Sequence, residues 1–285
     1  MKEKFTLMDA VIYLVMLVVL VSVLYPILNV VAVSFSASSY VVQNRVSVFP
    51  RGFTLDAYRR IFSNSRIPRA YQNTLLYTGL GTAVNLLLTI LTAYPLSKPN
   101  LTGRRVFMGL IMFTMFFSGG VIPTFIVVKS LGLTDTVGAM VLPNAIWTME
   151  LLILISFFRA MPLALYESAV LDGASEFCIL RRIYVPLSKA ALASIGLFYF
   201  MGHWNSYFLP LIYLNDQKMY PLQLVLRDML LDETTSISSV VVASDITPAS
   251  LKNAVIFITM IPVMVLYPVV QRYFVKGVMI GSIKG

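Results

Sequence analysis

The stretch that decides the fold is Pro162-Leu-Ala-Leu-Tyr-Glu-Ser-Ala-Val-Leu-Asp-Gly-Ala-Ser-Glu-Phe-Cys-Ile-Leu-Arg-Arg-Ile-Tyr-Val-Pro186, which lies between two long apolar runs. Proline at its start suits the first position of a helix. Gly173 interrupts the helical pattern and permits a positive φ or a close backbone contact. A second short helix is predicted over residues 175–183. The stretch therefore predicts a helix–turn–helix loop between two apolar segments.

The amino-acid composition of the whole chain excludes a soluble protein. Of the 285 residues, 58% are hydrophobic and 12% are charged, and the mean hydropathy is +0.81. A soluble domain carries roughly 25% charged residues on its surface. The net charge of +9 does not indicate nucleic-acid binding, because the basic residues lie between apolar runs, where membrane topology accounts for them. The single cysteine, Cys178, excludes an intrachain disulfide and lacks partners with metal-ligand spacing.

Six segments are long and apolar enough to cross a membrane, since a span needs about 20 apolar residues. The first is longer than the ~7–15 apolar residues of a signal peptide, so we expect a retained anchor. The fifth contains Pro210, where we expect a break. The predicted spans cover residues 11–33, 74–96, 106–128, 138–158, 187–214 and 253–274.

The basic residues of the loops predict the orientation of the chain. The short turn between the second and third spans carries Lys98, Arg104 and Arg105, and short loops weigh most in this rule. We therefore expect both the N- and the C-terminus to be cytoplasmic. Together with the six spans, this predicts an all-α, polytopic protein of the cytoplasmic membrane. We expect the chain to form a single domain. The loop over residues 159–186 is then cytoplasmic, and loops 34–73 and 215–252 are extracellular.

The loop resembles the signature loop of permease subunits in ATP-binding-cassette (ABC) importers. That signature reads Glu-Ala-Ala, then Asp-Gly-Ala, then Ile-x-Leu-Pro, and its spacing fits throughout. This chain departs from it by Ser168 for alanine and Val185 for leucine, both conservative changes. The matching positions are Glu167, Ser168, Ala169, Asp172, Gly173, Ala174, Ile183 and Pro186.

The resemblance extends along the chain to the smaller, six-span permease of maltose-type carbohydrate importers, within the oligosaccharide-uptake branch. Asn73-Thr74, opening the second span, is similar to the Asn-Ser or Asn-Thr of that family, and the C-terminal residues 271–285 resemble its tail. The resemblance implies the type I ABC importer permease fold, with a cytoplasmic coupling helix between transmembrane helices 4 and 5.

The resemblance also implies partners. A second, homologous permease completes the path across the lipid membrane, an ATPase dimer binds ATP and Mg²⁺, and an extracellular sugar-binding protein delivers an oligosaccharide. This chain itself is then a non-catalytic transport subunit that binds no cofactor and no metal. In agreement, the sequence contains no glycine-rich phosphate-binding loop.

The resemblance further implies roles for particular residues. Glu167 pairs with a basic group of the ATPase, Gly173 forms the close turn, and Ala169 and Ala174 allow the partner to approach. The tail is expected to contact the ATPase as well, through Gly281, Ser282, Ile283, Lys284 and Gly285.

A second set of candidates lies in the fifth span. Trp204, Asn205 and Tyr207 are candidates for the substrate path, because sugars bind on aromatic faces beside amide and hydroxyl groups. Trp and Tyr also mark the lipid interface, and packing or anchoring is the favoured interpretation of this group.

Two other functions remain as alternatives. The chain could be an ABC permease for a non-sugar solute, which the loop motif does not distinguish. It could also be an ion-coupled secondary transporter, but that function needs intramembrane carboxylates or broken helices that form ion sites, and the spans contain almost no carboxylates. No catalytic constellation is present that would indicate a membrane enzyme.

Overall fold

The fold is helical, as a computed structural model of the chain shows for residues 6–63, 65–231 and 246–281. Within these ranges the only extended pairing is an isolated antiparallel bridge between Ser36 and Phe53. The predicted all-α fold class is confirmed.

The helices follow one another along the chain with few long gaps. In order, they are α1 (Leu7–Ser34), α2 (Ser38–Val42), α3 (Asp56–Ser63), α4 (Arg66–Ser97), α5 (Arg104–Phe116), α6 (Val121–Ser130), α7 (Val137–Val141), α8 (Thr148–Arg159), α9 (Leu163–Leu171), α10 (Glu176–Ile179), a π-helical turn (Leu180–Tyr184), α11 (Val185–Leu187), α12 (Lys189–Trp204), α13 (Phe208–Tyr213), a 3₁₀ turn (Gln217–Met219), α14 (Leu222–Leu231) and α15 (Pro248–Gly281).

Within the described residues, three helices are individually long and apolar enough to cross a membrane, namely α1, α4 and the Pro248–Pro268 part of α15. Three bent helix pairs also pass when each pair is taken together, so that up to six spans result. The pairs are α5 with α6, α8 with α9, and the helix Glu176–Leu187 with α12. The second pair includes α9, which belongs to the loop that the sequence predicts to be cytoplasmic.

The third predicted span, over residues 106–128, is not one straight helix. Helix α5 ends at Phe116 and α6 begins at Val121, and their axes differ by 116°. The break contains Gly119 and Gly120, and glycine is the poorest helix former after proline. The pair of glycines is the sequence signal that could have located this bend.

The fifth predicted span is broken, but the break is not at Pro210. Helix α12 ends at its C-cap Asn205, and α13 begins at Phe208 with Pro210 inside its first turn. Proline is tolerated there because backbone N–H groups of a first turn have no helical partner. The fourth predicted span likewise divides into α7 and α8, with Pro143 between them.

The chain divides into two compact units, and the first comprises Met1–Pro68 with Val225–Pro262. Its aromatic core centres on Phe35, whose ring stacks on Phe53 at 5.6 Å and on Tyr58 at 4.8 Å and meets the edge of Phe257 at 5.8 Å. A cleft of about 1030 Å³ in this unit is lined by serine and threonine side chains, by Arg59 and Arg60, and by Asp56, among others.

The second unit comprises Arg69–Leu224 with Val263–Gly285. Its larger core cluster joins the C-terminal end of α4 to α8, to the predicted cytoplasmic loop and to α12. Leu154, Ile155 and Tyr199 are among its fully buried members, with Ile179 contributed by the loop. Burial of this apolar surface, at about 25 cal/mol per Å², holds the loop against the helix ends.

Candidate functional site

The loop between α8 and α12 is built as a helix, a tight turn and a second helix. Helix α9 ends in a Schellman motif: Gly173 N donates to the Val170 carbonyl at 3.0 Å, and Ala174 N donates to the Ala169 carbonyl at 3.0 Å. Gly173 has φ +75°, the left-handed conformation that favours glycine. Of the two alternatives that the sequence allows at Gly173, the structure shows the positive φ.

The second helix of the loop begins immediately after the turn. The Ser175 hydroxyl caps α10 by accepting from Cys178 N at 3.4 Å. The helix continues through the π-helical turn and α11 as far as Leu187, with an exposed Pro186 near its end. The predicted second helix, over residues 175–183, thus extends further than the sequence indicated.

Most of the predicted loop residues face outward. Glu167, Ser168, Asp172 and Gly173 are exposed, and no heavy atom lies within 4 Å of a Cβ built on Gly173. Ala174 and Ile183 are half-buried and pack against the core cluster.

One of the predicted loop residues faces inward instead. The side chain of Ala169 is 9% exposed and belongs to the core cluster of the second unit. Ala169 therefore packs within its own unit, and its expected role in allowing a partner to approach stays a prediction. Ala169 lies on the inner side of α9, where helical spacing separates it from the exposed residues at 167 and 168.

The outer surface of the loop is also more apolar than the motif indicated. Leu171 is 89% exposed and Phe177 is 65% exposed, on either side of the Gly173 turn, and Leu163 and Val170 are exposed as well. Exposed apolar side chains that cluster in this way mark interaction surfaces. The signal was present in the sequence, since four large apolar residues occur in a loop that is predicted to be outside the membrane.

Sequence reasoning also missed an ionic and aromatic cluster beneath the loop. The Lys98 ammonium lies 3.1 Å from the ring centroid of Tyr166, 4.6 Å from that of Tyr94 and 5.1 Å from that of Tyr184. Its nearest carboxylate oxygen is Oε2 of Glu176, at 3.8 Å. We call these five residues the Lys98 cluster.

Glu176 joins the Lys98 cluster to the loop through hydrogen bonds. Its Oε1 accepts from the Tyr166 hydroxyl at 2.6 Å, and its Oε2 accepts from the Tyr94 hydroxyl. A cleft of about 930 Å³ lies beside the cluster and is also lined by Arg104, Arg159 and Glu167. The cluster joins residues that are far apart in the sequence, so no local motif could have predicted it.

The Lys98 cluster changes the acidity of its two charged groups. Burial lowers the pKa of the Lys98 ammonium, and the nearby Glu176 carboxylate only partly opposes that effect. Burial raises the pKa of Glu176, but hydrogen bonds from Tyr166 and Tyr94, together with the charge of Lys98, outweigh burial and leave this pKa below its ordinary value. The lowered pKa of Glu176 keeps its carboxyl ionised at neutral pH.

The candidates for the substrate path differ among themselves. Trp204 is 1% exposed, its ring stacks on Phe200 at 5.7 Å, and it meets the edge of Tyr71 at 6.0 Å. Trp204 is therefore a packing residue, which agrees with the favoured interpretation. Asn205 and Tyr207 are exposed, and the Asn205 amide donates to the Met201 carbonyl at 2.9 Å.

Asn73 and Thr74, which also matched the family pattern, hold a loop in the second unit. The Asn73 amide donates to the carbonyls of Lys218 and Tyr220 at 2.8 and 3.1 Å, and the Thr74 hydroxyl accepts from Leu222 N at 2.7 Å. These bonds position the segment that leads into α14.

Two predictions concern the C-terminal tail and metal binding. Gly281 is the last residue of α15, whereas the predicted tail contacts Ser282, Ile283, Lys284 and Gly285 lie outside the described residues.

Among the residues that the structure describes, no three His, Cys, Asp or Glu side chains come together as metal ligands do.

Comparison with known proteins identifies the family. Residues 85–280 match the family model described as "Binding-protein-dependent transport system inner membrane component". The chain is 43% identical to Protein LplC of Bacillus subtilis (strain 168) over 262 residues, covering 91% of this chain and 89% of that protein. It is 41% identical to the polygalacturonan/rhamnogalacturonan transport system permease protein YtcP of the same organism, covering 99% of this chain and 100% of that protein.

A solved structure is similar along nearly the whole length. It is a chain from the crystal structure of a bacterial ABC transporter involved in the import of the acidic polysaccharide alginate, with a TM-score of 0.89 and 32% identity over 96% of this chain and 100% of that one. The described helices, the loop and these matches agree: the chain is an integral membrane protein with the type I permease fold, and it belongs to the family of binding-protein-dependent transport system inner membrane components.

Proposed function

We propose that this chain is one of two permease subunits of an ABC importer, and that it forms with the second permease a path for an oligosaccharide delivered by an extracellular binding protein. ATP and Mg²⁺ bind to separate ATPase subunits on the cytoplasmic side. The chain couples to them through the loop around Glu167–Gly173, with both of its termini in the cytoplasm.

The observation that carries this proposal is the outer surface of the loop. Exposed Leu171 and Phe177 flank a turn that has no side chain at Gly173, and exposed Glu167 adds one negative charge beside them. Apolar groups next to a polar rim are typical of a protein interface. In our proposal the ATPase covers Leu171 and Phe177, and one of its basic groups pairs with Glu167.

The proposed substrate is an acidic oligosaccharide. YtcP is named for polygalacturonan and rhamnogalacturonan transport, and the similar solved transporter imports alginate. The net charge of +9 supports an anionic substrate through long-range attraction. The cleft in the first unit contributes Arg59 and Arg60, of which Arg59 pairs with Asp56 at 3.4 Å. Asn205 and Tyr207 remain candidates for the substrate path.

The test is co-purification with the ATPase. The chain is co-expressed with a partner permease and a sugar-importer ATPase, and the amount of ATPase retained per permease is measured after purification in detergent. We expect the wild type to retain the ATPase and Gly173→Trp to lose it, because the bulky ring strains a left-handed turn and blocks the surface.

Gly132→Trp is the matched control. Gly132 has φ +66° and, like Gly173, open space around a built Cβ, but it lies in a loop predicted to be on the other side of the membrane. We expect this control variant to retain the ATPase. Equal retention by both variants would remove the docking role of the Gly173 turn, and loss of the ATPase even by the wild type would contradict the proposed class.

A further inference from the structure

The C-terminal end of α4, directly before Lys98, is fixed to its neighbours. The Leu96 carbonyl accepts from Arg104 Nε at 3.0 Å and from Arg159 Nη2 at 3.5 Å. Arg104 begins α5 and Arg159 ends α8. The two cations satisfy a carbonyl at the C-terminus of α4, where the helix dipole is negative. These hydrogen bonds connect the end of α4 to the start of α5 and the end of α8, and we call these three connected helix ends the frame.

The Lys98 cluster is the polar connection between this frame and the loop. Tyr166 lies on α9 and Glu176 begins α10, whereas Tyr94 lies in the last turn of α4 and Lys98 directly follows that helix. Each side contributes one tyrosine hydroxyl to Glu176, and the Lys98 ammonium lies over rings from both sides. The Lys98 side chain is 19% exposed, and its Nζ has no hydrogen-bond partner among the described residues. A desolvated cation over an aromatic ring is held more strongly than one in water.

We propose that Lys98 is a positioning residue that locks the loop to the end of α4, so that movement of the loop is passed on to that helix. This inference rests on the proposed function, since it is the docked ATPase that moves the loop. Without the ammonium, the cation–ring contacts between the loop and the end of α4 are lost, and the Tyr94–Glu176 hydrogen bond and the apolar core are left to resist a shift of the loop against the frame.

The consequence for coupling follows from the length of α4. The helix covers Arg66–Ser97, which is about 48 Å at 1.5 Å per residue. It also carries Asn85, whose side chain contacts His203 Nε2 at 2.9 Å, and Thr89, whose hydroxyl lies 2.6 Å from the Tyr199 hydroxyl. A shift of the cytoplasmic end of α4 therefore reaches polar contacts with α12 deep in the bundle.

The test measures directly whether a change in the loop also changes α4, and it requires no sugar substrate. The assembled complex of both permeases and the ATPase is studied by hydrogen–deuterium exchange, without nucleotide and with the ATP analogue AMP-PNP. In the wild type we expect AMP-PNP to change the exchange of loop residues 163–176 and also that of α4 residues 90–97. In Lys98→Met the loop still responds, but the response of residues 90–97 falls by about tenfold, because the contact between cation and rings is lost.

Two controls separate this role from a structural one. Lys98→Arg keeps the charge and is expected to retain most of the response at residues 90–97. Lys189→Met removes an exposed lysine of α12, on the side of the membrane predicted for Lys98, and is expected to behave as the wild type does.

Each other outcome has a defined meaning. A normal response of residues 90–97 in Lys98→Met overturns the inference. So does loss of the ATPase from Lys98→Met, which would make Lys98 a docking or folding residue. If the wild type itself retains no ATPase, the proposed function fails first, and the inference about Lys98 falls with it.

Discussion

Helices α6 and α9 end in the same backbone motif, and the two turns can be compared residue by residue. After α6, Gly132 N donates to the Lys129 carbonyl and Leu133 N to the Val128 carbonyl, which is the Schellman pattern also found around Gly173. Both glycines have positive φ. Each turn is followed by a short capped helix, with Thr136 capping α7 and Ser175 capping α10.

The turns differ in how their outer surface is used. The segment after Gly132 is tied to its own unit by Asp135, which accepts hydrogen bonds from the backbone of Asn215 at 2.5 Å and of Asp216 at 3.0 Å, and from the Asn215 amide at 2.9 Å. The segment around Gly173 is tied inward by Glu176, which accepts a hydrogen bond from Tyr94 of α4, and its outer side leaves Leu171 and Phe177 uncovered. The same backbone motif therefore closes a loop in one place and presents a surface in the other.

The largest expected effect comes from a charge placed beside each turn. Leu171 is 89% and Leu131 is 66% exposed, so aspartate at either position changes the stability of the permease by less than about 0.5 kcal/mol. Only Leu171→Asp is expected to put a carboxylate into an interface, where burial of an unpaired charge costs several kcal/mol. We expect ATPase retention to fall by at least about tenfold in Leu171→Asp and to be unchanged in Leu131→Asp. Equal ATPase retention in the two variants would contradict the proposal that only the Gly173 turn binds the ATPase.

An intermediate effect is expected from Asp135, which anchors the segment after the Gly132 turn. Asp135→Ala removes three hydrogen bonds to a carboxylate, so we expect faster hydrogen exchange over residues 133–136 and 214–216 and a melting temperature lower by a few degrees. ATPase retention should not change, because the proposed docking surface is the Gly173 turn and not this one. A loss of ATPase in this variant would show that the Gly132 turn also affects binding of the ATPase.

The same anchor predicts a pH dependence. Hydrogen bonds from the Asn215 side chain and backbone, and then from the Asp216 backbone, lower the pKa of Asp135. A carboxyl whose pKa is lowered by folding contributes stability at pH values above its unfolded pKa, near 3.9, and loses it as the pH falls through the folded value. Protection of residues 214–216 should thus be constant from about pH 8 to 5 and should decline below about pH 4. Asp135→Asn should remove this decline.

The smallest expected effect comes from variants that test whether the Gly132 and Gly173 turns have equivalent backbone conformations. Gly132→Ala and Gly173→Ala each force alanine into a left-handed conformation, at a cost of about 1 kcal/mol. We expect both variants to lower the melting temperature by a similar amount, about 2–4 °C for a chain of this size. Clearly unequal shifts would mean that contacts outside the backbone motif support one of the turns.

The helical membrane architecture and the loop could be predicted from local sequence. Apolar runs produce membrane helices because the hydrocarbon core leaves no alternative for the backbone groups, and the spacing from Glu167 to Pro186 indicated the loop and the left-handed turn at Gly173. The interruption of the fifth span was expected at Pro210 but lies at Asn205, because a proline in a first helical turn costs little. The bend of the third span at Gly119-Gly120 was missed, although both glycines are visible in the sequence.

The sequence by itself therefore determined that this protein is embedded in a lipid membrane, that it is helical and that it carries the signature loop, because these properties depend on hydropathy and on neighbouring residues. Only the tertiary structure decided that Ala169 faces the core, that Trp204 is packed and that Leu171 stays exposed. It also decided the meeting of Lys98 with Tyr166 and Glu176, which belong to different helices. Such contacts depend on how the helices pack against one another, and packing is a property of facing surfaces that no single stretch of sequence contains.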